Sequence, residues 1–153
     1  MELVDILAEN AVLNCTGGIS KRQLFEVLSE KASELTGMNA SDILAAISGR
    51  EDLGSTGVGN GIAIPHGKIA GLKGVTAVFA RLETPMDFDA VDDQPVDVVM
   101  MLLAPVGAGA DHLKALSVVA RLLRTEDIVE RLRRETDTAK LYSILATSIR
   151  DAA

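Results

Sequence analysis

Two stretches decide the fold: Val96–Ala104 reads VDVVMMLLA, and Val75–Leu82 reads VTAVFARL. Both are β-branched and apolar almost throughout, the composition of strands buried on both faces of a sheet. The run at 96–104 is expected to be central. Upstream, Ile62-Ala63-Ile64 predicts a short strand cut off at Pro65, whose ring removes a backbone donor. Between Gly54 and Gly61 the chain reads GSTGVGNG, four glycines in eight residues. That is flexible turn chemistry, unsuited to any regular element.

Helical signals bracket this middle. Ser20-Lys21-Arg22-Gln23 is a capping-box pattern, in which Ser and Gln reciprocally satisfy free backbone N–H groups. Behind it Leu24, Phe25, Leu28, Ala32 and Leu35 recur at helical spacing until Gly37. A second helix is expected after Asn39 or Ser41, burying Ile43, Leu44 and Ile47 and ending at Gly49. Beyond the loop Pro105–Ala110, Asp111 is expected to cap a helix burying Leu113, Leu116, Ala120 and Leu123. One further helix is expected after Thr125, with Glu126 and Asp127 in its first turn, and one near Thr136, burying Leu141, Ile144 and Leu145. The pattern predicts an α/β fold: a mixed β-sheet flanked by helices on both faces, in a single domain over 1–153.

Composition excludes more than it proposes. With 15 Lys+Arg against 22 Asp+Glu the net charge is −7, and the pI is about 4.8. Such a chain lacks the basic footprint of a nucleic-acid binder and is a poor partner for an anionic membrane. Aromatics are 3%, which argues against base stacking and leaves the core to aliphatic residues. The acidic amino terminus carries no signal-peptide pattern, and the longest apolar run, Val98–Val106, is too short to span a bilayer. A cytoplasmic protein is expected, without membrane insertion. Its lone Cys15 can form no internal disulfide and is expected to be a buried apolar residue.

Only His66 and His112 offer imidazole chemistry. The segment GSTGVGNGIAIPHGK (54–68) could converge backbone N–H groups on an anion, as a nest does. It fails the P-loop pattern, because Ile62 stands where a Gly is needed and Ile69 follows Lys68. His66 follows a rigid Ile64-Pro65 lead-in and is expected to be presented outside the core. Its ring could transfer a proton or act as a nucleophile, the plain alternative being a surface-turn histidine. His112 falls in the first turn of a helix, where free N–H groups favour anions. Arg50, at the end of the second helix, could fork two donors onto a phosphoryl group or merely complement the helix dipole. Two histidines without a third close ligand make a poor zinc site, and no nucleophile elbow is present.

GSTGVGNGIAIPHGK, LETPMDFDAVDDQPVDVV (82–99) and DHLKALSVVARLL (111–123), in that order, resemble the mannitol/fructose-type enzyme IIA proteins of the bacterial phosphoenolpyruvate-dependent phosphotransferase system. Within these, the chain is most similar to the nitrogen-regulatory enzyme IIA, over about residues 5–148. The resemblance implies that His66 accepts a phosphoryl group from a histidine phosphocarrier protein of the nitrogen-branch type. His112 would be its active-site partner and Arg50 the cation near the phosphoryl group. It implies no metal and no organic cofactor. The phosphorylation state would be read by regulatory target proteins in nitrogen, carbon or potassium homeostasis. A sugar-specific enzyme IIA passing phosphate to a IIB domain, or a binding module never phosphorylated, are the alternatives. Partner contact is expected at Val58 and Ile62.

Overall fold

A computed structural model describes residues 1–152, with side chains through Thr147; the expected domain end at 153 lies outside the described residues. Six strands form one mixed sheet: β1 (Val12–Cys15), β2 (Gly57–Gly59), β3 (Ile62–Ala63), β4 (His66–Ile69), β5 (Thr76–Met86) and β6 (Val96–Pro105). Among the described residues five α-helices accompany it: α1 (Lys21–Thr36), α2 (Ala40–Asp52), α3 (Gly109–Leu123), α4 (Glu126–Arg134) and α5 (Thr138–Ala152). The sheet order is β1-β5-β6-β3-β2, with β4 also paired to β6. As expected, β6 is central: it runs antiparallel to β5 and parallel to β3 and β4.

Side chains alternate across a strand, and here both faces are apolar. Val98, Met100 and Leu102 join a core with α3, α4 and α5, while Val99, Met101 and Leu103 join one with α1 and α2. Burial on both faces is why the 96–104 run carries no polar alternation. The layered architecture is therefore helices, sheet, helices. Among the described residues no helix is long and apolar enough to cross a membrane.

Several elements depart from expectation. The glycine-rich stretch is no loose loop: β2 and β3 form an antiparallel hairpin whose two-residue turn is Asn60-Gly61, both at positive φ, 57° and 80°. Asn-Gly supplies the left-handed backbone that a two-residue hairpin requires. Pro65 interrupts its strand without ending it. Ile62 and Ala63 pair with Val98 and Val99, and His66 and Gly67 resume the same parallel register with Leu102 and Leu103. Helix α2 runs on through Gly49 to Asp52, from an Asn39 cap whose side chain accepts from Ser41 N at 2.9 Å. Strand β1 was not expected, and Cys15 at its end is half-buried rather than buried.

Helix α3 starts at Gly109 rather than after Asp111, which sits inside its first turn. Its buried stripe is His112, Ala115, Val119, Leu122 and Leu123. Turning His112 inward swings Leu113 about 100° round the helix, out to solvent at 67% exposure. Leu116 and Ala120 are only partly buried against the core. At α1 the capping box forms as read, with Gln23 N to Ser20 Oγ at 3.1 Å and Ser20 N to Gln23 Oε1 at 2.9 Å.

Candidate functional site

The face on which His66 lies follows from strand alternation. On β4, Gly67 and Ile69 are buried toward α2, where Gly67 lies against Ala46. His66 and Lys68 consequently project toward the α3 layer. There His112, on the buried stripe of α3, meets His66 edge-on, the ring centroids 5.5 Å apart and the planes at 75°. Two histidines 46 positions apart in the chain become one pair because a strand and a helix amino terminus pack together.

The two rings are held differently. His66 Nδ1 lies 2.9 Å from Ile64 O. A carbonyl only accepts, so Nδ1 carries the proton and Nε2 of the neutral ring keeps its lone pair. His112 is 7% exposed, and its Nε2 is buried without a hydrogen-bond partner. Burial, then repulsion from His66 whenever that ring is protonated, and then the charge of Lys68, hold His112 below the ordinary histidine range, which favours the neutral ring. Its backbone N–H is engaged with Ala108 O at 3.0 Å. The helix start therefore contributes the imidazole, and not this amide, to the site.

Arg50 occupies the last turn of α2, one turn beyond Ala46, which packs on Gly67. Its Nη1 donates to Gly54 O at 2.8 Å. The structure thus joins His66 to His112 and sets Arg50 at the start of the segment that leads into the hairpin. Lys68 enters the sequence reading only through a failed P-loop pattern; its place two residues after His66, on the same face of β4, is the signal that sets it beside the pair. Three N–H groups of the anticipated anion nest already have partners. Thr56 N donates to the Glu51 carboxylate, Gly57 N to Ser55 Oγ and Asn60 N to Asp92 Oδ2. Among the described residues, no three His, Cys, Asp or Glu side chains gather as a metal site.

The family described as "Phosphoenolpyruvate-dependent sugar phosphotransferase system, EIIA 2" matches residues 5–148. The chain belongs to this enzyme IIA family. A "Nitrogen regulatory protein" of Bradyrhizobium diazoefficiens is 49% identical over 146 residues, covering 95% of each chain, and this enzyme IIA is of that nitrogen-regulatory kind. The crystal structure of nitrogen regulatory protein IIA-Ntr from Neisseria meningitidis superposes with a TM-score of 0.86 at 34% identity, covering 94% of this chain and 98% of that one. IIA mannitol from Escherichia coli shares the fold, with a TM-score of 0.73 at 21% identity over 90% of this chain and 96% of that one. Phosphotransfer through a histidine is the chemistry of the enzyme IIA family, whose members receive phosphate from phosphocarrier proteins.

Proposed function

We propose that this enzyme IIA carries its phosphoryl group on Nε2 of His66, taken from a histidine phosphocarrier protein of the nitrogen branch, and reports its phosphorylation state to regulatory targets. The observation that carries this reading is the hydrogen bond from His66 Nδ1 to Ile64 O, which commits one nitrogen and leaves the other nucleophilic. In the transfer, the Nε2 lone pair attacks phosphorus as the N–P bond of the carrier's phosphohistidine breaks. The departing imidazole nitrogen keeps that electron pair. Donor and acceptor are alike, so no general acid is needed, and catalysis reduces to positioning and charge neutralisation.

His112 supports this assignment through its orphaned Nε2. A buried polar atom without a partner costs about 1–3 kcal/mol, and a phosphoryl oxygen on His66 would supply the missing acceptor for an Nε2–H. Lys68 adds positive charge on the same side, and Arg50 is assigned as the cation of the phosphoryl group. Residues 1–153 act as one enzyme IIA domain in the cytoplasm, without a cofactor. Val58, 56% exposed on β2, is its carrier-facing apolar residue, whereas Ile62 is buried and serves the core instead.

Incubation with phosphoenolpyruvate, enzyme I and the cognate carrier is expected to add about 80 Da of acid-labile, base-stable phosphate. His66→Ala abolishes the gain. Phosphate retained in that variant would sink the assignment.

A further inference from the structure

A chain of hydrogen bonds leads from the α1–α2 layer to the imidazole of His66. Lys21 Nζ, at the start of α1, donates to Glu51 Oε2 at 2.8 Å and to Phe88 O at 2.9 Å, and stands 4.2 Å from the centre of the Phe88 ring. The Glu51 carboxylate accepts from Thr56 N at 3.1 and 3.0 Å and from the Thr56 hydroxyl. Thr56, 4% exposed, accepts at its carbonyl from Ile64 N at 3.0 Å. Ile64 O then receives His66 Nδ1.

We propose that Glu51, acting through Thr56, is a positioning residue that fixes the tautomer and aim of the His66 ring. Ile64 is pinned at its N–H by Thr56, and the next carbonyl, Pro65 O, is pinned by Leu102 N at 2.9 Å. Its own carbonyl therefore has little freedom to turn away from Nδ1. Thr56 would itself be a hinge between α2 and the hairpin without the carboxylate that holds both its N–H and its hydroxyl. Burial raises the Glu51 carboxyl, yet the bonds from Lys21 and Thr56 outweigh it and leave the group below the usual carboxylate range, ionised and engaged as an acceptor at both oxygens. The link is mechanical: the bonds run through two residues rather than through one conjugated peptide.

The kinetic part of the test rests on His66 being the phosphoryl acceptor; the spectroscopic part does not. Full-length 15N-labelled protein is examined by long-range 1H–15N correlation at a pH where neutral imidazole prevails. Wild-type His66 is expected as the Nδ1–H tautomer, and Glu51→Gln and Thr56→Val as mixtures with Nε2–H. Phosphate uptake in both variants should fall by about tenfold or more at saturating carrier, with half-saturation unchanged, as misalignment of a reacting atom produces. Thr56→Ser, which keeps both donors, should restore tautomer and rate. A folded Glu51→Gln or Thr56→Val protein whose His66 remains wholly Nδ1–H overturns the proposal, as does a rate within about twofold of wild type. Should wild type take up no phosphate while the variants still shift the tautomer, the acceptor reading falls and the positioning role stands.

Discussion

At the level of single residues, the site divides two imidazoles by environment. His66 sits half-exposed with one nitrogen bound to a carbonyl, whereas His112 is buried on α3 and held below the ordinary histidine value of about 6.5. The unfolded chain therefore takes up the His112 proton first as pH falls. Stability linked to His112 is fully present above about pH 6.5 and is lost as pH drops from there through its lowered folded value. Denaturant midpoints compared at about pH 7.5 and 5.5 should show this loss, and His112→Phe should reduce it. An unchanged difference between the two pH values would mean that His112 titrates as in the unfolded chain. Read from the residues alone, His66 and His112 stand as separate candidates, and only the family resemblance pairs them, because nothing local says that α3 begins at Gly109 and turns residue 112 inward.

At the scale of elements, the β2–β3 hairpin determines where His66 stands. It is clamped by its neighbours: Val91 N reaches Gly57 O at 3.4 Å, and Asp92 Oδ2 accepts from Asn60 N at 3.0 Å. Gly57 packs so closely on residues 88–90 that an added Cβ would lie 2.7 Å from Ala90 Cβ and 3.0 Å from its Cα. Backbone cannot retreat as a flexible side chain can. Gly57→Ala is expected to cost about 1–3 kcal/mol, lowering Tm by several degrees, at about 2–4 °C per kcal/mol for a chain of this size. Thermal unfolding followed by circular dichroism checks it, and an unaltered Tm would show that the hairpin shifts freely. Gly61 serves differently. Its φ of 80° closes the turn, and Arg133, bound to Asp97 through Nε at 3.0 and 2.9 Å, reaches past it to Asn60 O at 2.6 Å. The glycines are legible as turn formers, but the close packing of Gly57, Gly59 and Gly61 needs residues 88–97 and 133, which are remote in the chain.

For the molecule as a whole, the proposed phosphorylation would add up to about two negative charges to a chain already at −7. A surface of that sign can report its state through changed attraction to partners without a large movement. Given its likeness along 95% of its length to a nitrogen regulatory protein, the phosphorylated protein is expected to transfer nothing promptly to fructose- or mannitol-type IIB domains. Loss of the added mass upon mixing with such a domain would redirect the function to sugar transport. What the sequence by itself determined was local: the two double-faced apolar strands, the Ser20–Gln23 box, a helix start at Asn39 or Ser41, the stop at Gly37, and a histidine behind a rigid proline. Each follows from interactions within a few residues or from the need to bury apolar faces. The tertiary structure decided the rest. Strand β1 gains its place by pairing with β5, β4 resumes beyond Pro65 because β6 holds its register, and His66 faces His112 because strand alternation and helix phase bring them together across the α3 layer.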